Sequence, residues 1–263
     1  MPIQSPTPLI DTHFHVFQPN VGLPGARYVP SYGASISQWR RLAHGCGVTH
    51  GVLIQPSFLG TDNSLLLKVL RSSPSSLRGI AVIGSNANRK DLEAMHQLGV
   101  RGIRLNLSGR SHDPSAWTLD TQTWDVIMSL GWHLEIHTDQ NGLPAVLRCV
   151  PSGIRVVINH MTKPASASQN DETIKSLRAR DKGNVFVKLS APYRLEGVSA
   201  QELSKVLLNE LGPSALLWGS DWPFTNYEST VNYQTLFSSL ETWPTKEYTK
   251  KILSENPQIV YFW

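Results

Sequence analysis

The sequence predicts an α/β fold, and within that class a single-domain (β/α)8 TIM barrel spanning residues 1–263. Eight short apolar runs suited to strands alternate with segments whose apolar residues recur every three or four positions, the period of an amphipathic helix. The strand-like runs are nearly continuous in apolar character, as expected when parallel strands are covered on both sides. The chain of 263 residues also matches the size of one such barrel, about 250 residues. No G-x-G-x-x-G follows a strand-like run, which sets aside the dinucleotide-binding open sheet.

The elements follow in order. "LIDTHFH" is the first expected strand and "HGVLIQ" the second, followed by the helical "TDNSLLLKVLRSS" with Thr61 or Asp62 as its cap. "RGIAVI" leads to "RKDLEAMHQLG", which Gly99 ends, and "VRGIRLN" leads through a polar loop, "NLSGRSHDPSAW", to "TQTWDVIMSLG", which Gly131 ends. "WHLEIHT" and "RVVINH" are the fifth and sixth strands, the latter followed by a second polar loop, "TKPASASQNDE". "VFVKLS" precedes the helix "AQELSKVLLNELG", which Gly212 ends, and "ALLWGSD" is the eighth strand. "TKEYTKKILSENPQIVYFW" reads as a last helix with an aromatic tail that packs.

Composition narrows the function classes. At 40% hydrophobic and 17% charged residues, with no apolar run near 18 residues, no membrane span is expected, and the N-terminus lacks the basic and apolar regions of a secretion signal. Cys46 and Cys149 are the only cysteines and form no paired motif, which suits a reducing, cytoplasmic setting. The net charge of +4 is spread along the chain without a basic run, so no nucleic-acid partner is expected, and the balance reads as a mildly basic solvated surface that leaves room for a local site for a small anionic substrate. The oligomeric state stays open.

Alternate residues of a strand share a face, so His13 and His15 of "DTHFH" project together and could hold one divalent metal. Three other strand-like runs end in titratable residues: His137 in "LEIHT", His160 in "VVINHMTKP" and Asp221 in "LLWGSDWPF". In a barrel these ends converge on the C-terminal face, where active sites form. Arg104 and Arg110 flank the end of the fourth strand, Lys163 follows His160, and Arg194 follows the seventh strand. Guanidinium groups pair bidentately with carboxylate or sulfonate, so this rim points to a substrate with one or two anionic groups. Ser57, in "QPSFLGTDN", is either a donor to a substrate carbonyl or a turn serine, and Asn63 braces or caps the same stretch.

These pieces together, with "GVLIQPSFLGTDNSLLL" and "GVRGIRLNL", resemble the amidohydrolase superfamily, in particular the branch that contains 2-pyrone-4,6-dicarboxylate lactonase and 4-sulfomuconolactone hydrolase. The resemblance implies a barrel and a lactone hydrolase. It implies His13, His15, His137 and Asp221 as ligands of one divalent metal, expected to be zinc, with Asp221 moving the water proton and His160 orienting water or polarising the carbonyl. It implies Arg104, Arg110, Lys163 and Arg194 as substrate-binding residues, Lys163 standing where the family has an arginine; the carbonyl-donor reading of Ser57 adds it to that set. No lysine ends the fourth strand, so a carbamate-bridged pair of metals is not expected. The dicarboxylate lactonase carries tyrosine at the fifth-strand position and works without metal; His137 there shifts the expectation toward zinc and leaves a metal-free mechanism as the alternative. Two other functions stand beside lactone opening: non-oxidative decarboxylation of an aromatic or muconate-like acid, and binding of an acidic metabolite without turnover.

Overall fold

All eight strand-like runs form strands. The computed structural model describes residues 7–85 and 87–263, with β1 (Ile10–Phe14), β2 (His50–Ile54), β3 (Leu77–Ala81), β4 (Val100–Asn106), β5 (His133–His137), β6 (Val156–Ile158), β7 (Val185–Leu189) and β8 (Leu216–Trp218). They lie parallel in the order of the chain, each paired with the next. The helices between them are α1 (Ile36–Gly45), α2 (Ser64–Arg71), α3 (Arg89–Gln97), α4 (Thr121–Ser129), α5 (Leu143–Cys149), α6 (Glu172–Arg178) and α7 (Ala200–Leu211), with α8 (Tyr233–Ser239) and α9 (Asn256–Tyr261) after β8. The molecule is a (β/α)8 barrel.

Local chemistry sets the helix ends. Ser35, Asn88, Asp120, Asp171, Ser199 and Asn232 each accept a hydrogen bond from a first-turn N–H. Gly99, Gly131 and Gly212 take positive φ after their helices, as the sequence predicts. At α2 the capping position belongs to Asn63, and Asp62 contributes by accepting from the Ser64 N–H at 3.1 Å. Asn63 is a brace: its amide donates to Val82 O and accepts from Val82 N. The expected last helix is broken, with a wide π turn over Lys251–Glu255 before α9. Pro257 lacks the N–H that would close onto residue 253, so the α ladder cannot run through unchanged.

The core has two parts. A large apolar cluster fills the space between the strands and the helix ring, while Val52, Ile54, Ile80, Val157, Phe186 and Leu217 pack inside the barrel against Val260 and Tyr261 of α9. The aromatic tail is therefore a plug for the barrel floor. Among the described residues no helix is long and apolar enough to cross a membrane.

The seam between β8 and β1 positions the site. Thr12 Oγ1 donates to Trp218 O at 2.7 Å, Asp221 N to His13 O at 2.8 Å, and His15 N to Trp222 O at 2.8 Å. The approach demands glycine at 219, where an added Cβ would lie 2.5 Å from His13 Cβ. Asp11, fully buried, locks the seam from outside by accepting from Ser220 N and Oγ, His13 N, Trp39 Nε1 of α1 and Tyr233 Oη of α8. Asp11→Ala would leave these buried donors unpaired, at about 1–3 kcal/mol for each that finds no water. The expected loss of stability is about 3–5 kcal/mol, read from urea unfolding; a loss below about 1 kcal/mol would contradict this role.

Candidate active site

His13 lies in β1 and His15 one residue beyond it, on the same face. His160 and Asp221 do not end strands: β6 and β8 stop two and three residues earlier, and both side chains sit on left-handed backbone, at φ 53° and 60°. His160, Met161, Thr162 and Lys163 form an unbroken left-handed run. For residues other than glycine such backbone is costly and persists only where the surroundings enforce it, most often at functional sites. Here it accompanies the approach of His160 Nε2 to 3.8 Å from Asp221 Oδ1.

The four side chains meet at one atom. Asp221 Oδ1 stands 3.6 Å from His13 Nε2, 3.7 Å from His15 Nε2 and 3.8 Å from His160 Nε2. Its other oxygen is occupied: Oδ2 accepts from Tyr193 Oη at 2.8 Å and Arg194 Nε at 2.9 Å, and Arg194 Nη2 is held by Thr225 O. The carboxylate is thereby fixed with one free oxygen facing three imidazoles. Burial opposes its charge, but Arg194 and His160 outweigh burial and hold it well below the usual carboxylate range.

Burial, with its charged neighbours, keeps the imidazoles neutral. The His160 ring falls to about 3, chiefly through burial, partly offset by Asp221; His13 and His137 fall well below the imidazole range. In the unfolded chain His160 protonates near its ordinary value, about 6.5. Between these two values the unfolded state binds the extra proton, so this contribution to stability is full above about pH 6.5 and is lost as pH falls toward 3. Unfolding of metal-free protein should therefore become easier steadily from pH 6.5 to 4, as read from urea midpoints across that range. Stability of the metal-free protein that stays flat between pH 6.5 and 4 would contradict the buried, neutral His160.

Zinc binds nitrogen and oxygen at about 2.0–2.2 Å, so two ligands of one ion stand within about 4.4 Å of each other. All three imidazole distances to Asp221 Oδ1 meet this, and the donor atoms of His13, His160 and Asp221 lie mutually within 4.8 Å. His15 is also in the required tautomer: Nδ1 lies 2.8 Å from Ile54 O, which can only accept, so Nε2 presents a lone pair to Asp221. The set fits one cation. His137 lies outside this mutual group, edge-on to His160 with ring centroids 4.6 Å apart and with both ring nitrogens buried and unpaired.

Beside this cluster opens a cavity of about 310 Å³ lined by Ser57, Arg27, Arg104, Arg110, Arg194 and Asn106, among others. Arg104 is the exceptional one. It is 8% exposed, its Nη1 donates to Gln55 O, its Nε is buried without a partner, and no carboxylate pairs with it among the described residues. Burial lowers its guanidinium to about 10, which still leaves it charged. Lys163 departs from expectation: its ammonium pairs with Glu196 at 2.9 Å, and it is not part of the cavity wall. The backbone at 163 is left-handed, and the largely buried side chain there meets the exposed Glu196. Arg194 serves Asp221 while still lining the cavity.

Sequence reading missed Arg27, on the long β1–α1 loop, and Tyr193, which "KLSAPYR" places directly before Arg194. It also missed Glu135 and Lys188, both fully buried inside the barrel, where Lys188 Nζ holds both Glu135 oxygens at 2.7 and 2.8 Å. Lys188 is lowered to about 8 by burial and stays cationic at neutral pH, and Glu135 is held at about 2, burial being outweighed by Lys188. The period of two in "HLEIH" is the signal for Glu135: it faces inward with His133 and His137.

Comparison with known proteins supplies the family. The amidohydrolase family model matches residues 10–263. The chain belongs to the amidohydrolase family. Among its relatives, 2-pyrone-4,6-dicarboxylate hydrolase of Comamonas testosteroni is 28% identical over 98% of this amidohydrolase and 91% of its own length. A 4-sulfomuconolactone hydrolase of Rhizobium radiobacter is 28% identical over 82% of this chain and 76% of its own. A crystal structure from Pseudomonas putida, named as a candidate 2-pyrone-4,6-dicarboxylic acid hydrolase, superposes with a TM-score of 0.87 at 32% identity, covering 97% of this amidohydrolase and 98% of that chain.

Proposed function

We propose that this amidohydrolase opens the ring of a small anionic lactone, of the pyrone dicarboxylate or muconolactone type, with water as the nucleophile. The observation that carries the reading is Arg104: a buried, charged and underpaired guanidinium on the wall of a cavity whose far side holds an ionised Asp221 oxygen ringed by imidazoles. A buried charge is costly until it is paired, and a substrate carboxylate supplies the pair. The names of the relatives support the same substrate class.

Arg104, with Arg110 and Arg27 at the rim, holds the carboxylates of the substrate and so fixes the lactone carbonyl against the histidine cluster. Ser57 and His160 donate to that carbonyl as it gains negative charge. Asp221 Oδ1 takes the proton of the attacking water. Because Arg194 keeps Asp221 acidic, the proton is not retained and passes to the ring oxygen as the C–O bond breaks. Tyr193 and Arg194 hold the carboxylate in place through the cycle. His13, His15 and Asp221 would hold one divalent cation, zinc by their chemistry, with His137 outside that group. Such a cation supplies Lewis acidity that makes water easier to deprotonate near neutral pH.

The test is incubation with 2-pyrone-4,6-dicarboxylate and with a muconolactone. Ring opening is followed by ultraviolet absorbance, acid by pH-stat and gas by headspace analysis, beside elemental analysis of the protein before and after chelation. Stoichiometric acid without carbon dioxide is expected, with about one zinc per chain and activity that chelation removes. Carbon dioxide in place of acid would make the protein a decarboxylase, and tight binding of the lactone without any product would make it a binder.

A further inference from the structure

Lys188 lies below the site, and its four neighbours define its role. Nζ is 2.7 Å from Thr12 O, 2.7 and 2.8 Å from the Glu135 oxygens and 3.3 Å from His13 Nδ1. Three acceptor oxygens, one carbonyl and two of the carboxylate, take three N–H bonds, and only an ammonium has three. A positive charge beside Nδ1 favours a lone pair there over an N–H. At the opposite end of the same ring, Nε2 faces Asp221 Oδ1 at 3.6 Å, where negative charge favours an N–H over a lone pair. Both ends of the imidazole drive its one proton the same way.

We infer that Lys188 is a positioning residue that, with Asp221, fixes His13 as the tautomer protonated on Nε2. His13 then turns its Nε2–H to Asp221 Oδ1, 3.6 Å away and short of a hydrogen bond, while His15, its Nδ1 held by Ile54 O, presents a lone pair. The two histidines of the motif are opposite tautomers. Histidines that hold a metal ordinarily give their second N–H to an acceptor; Lys188 offers His13 a cation instead. For His13 to become a ligand its proton must move to Nδ1, toward the ammonium, so Lys188 weakens cation binding through His13 and favours its use as a hydrogen-bond donor. This rests on the reading of the site as a cation-capable hydrolase only for its effect on zinc; the position of the proton stands apart from the substrate.

The measurement is long-range proton–nitrogen NMR on metal-free protein with ring-labelled histidine, the His13 and His15 signals being assigned with His13→Gln and His15→Gln. In the wild type, His13 is expected with Nε2 protonated and Nδ1 bare, and His15 with the reverse. The Lys188→Met/Glu135→Gln variant removes both charges and leaves no lone buried carboxylate. It is expected to shift His13 toward the Nδ1–H form and to tighten zinc binding, read by competition with a chelating dye, by about tenfold or more. A wild-type His13 protonated on Nδ1 overturns the inference, and so does a folded double variant with unchanged tautomer and unchanged zinc affinity. Should the double variant not fold, the wild-type spectrum still decides. A protein with the expected tautomers that opens no lactone would retire the proposed substrate and leave this assignment standing.

Discussion

Asp221→Asn is expected to lower kcat for lactone opening about a thousandfold, within the range that removal of a positioned acid–base group costs. The substitution keeps the shape and removes the charge. In the wild type, Oδ1 is the single atom on which His13, His15 and His160 converge, while Oδ2 is tied by Tyr193 and Arg194. An amide cannot take the proton from water, nor serve as an anionic ligand. Arg194 would lose its partner, but its side chain is 21% exposed and can be rehydrated, so the fold should survive. The check is kcat together with a circular-dichroism melt: a folded variant that keeps more than a tenth of wild-type kcat would remove Asp221 from the chemistry.

Arg104→Met is expected to lower kcat/KM for a dicarboxylated lactone by about 30- to 700-fold, the equivalent of about 2–4 kcal/mol for deleting one partner of a buried charge pair. The same change should leave stability unchanged or raise it. The free protein buries this guanidinium with a single described hydrogen bond and without a counter-ion among the described residues, a cost that methionine does not carry. Function and stability would then move in opposite directions. A neutral lactone should lose less than about threefold, since no carboxylate of its own is bound. Equal losses for neutral and anionic lactones would show that Arg104 supports the fold and not the substrate.

The pattern of apolar runs made the barrel legible, because eight nearly continuous strands separated by helical periods leave few ways to bury both sides of a parallel sheet. The cluster was legible in part for the same reason: residues that follow a barrel strand come to the C-terminal face wherever the chain then goes. Lys163 shows the limit. Its position after His160 suggested the rim, yet it ends a run of four successive left-handed residues, none of them glycine, and pairs with Glu196. No local preference announces that backbone, since each of those residues favours the right-handed regions when considered alone. Tyr193 was missed because its partner Asp221 lies 28 residues on, and Arg27 because only the fold brings its loop to the cavity.

The sequence by itself determined the fold class, the order and ends of most helices, and the identity of the histidines and aspartate that gather at the mouth. Only the tertiary structure decided how those groups are used. Which oxygen of Asp221 is free, which imidazole carries its proton where, and which arginine is left without a partner all depend on contacts between strands far apart in the chain. Charge and hydrogen bonding act through space over a few ångströms, and the closed barrel sets those distances.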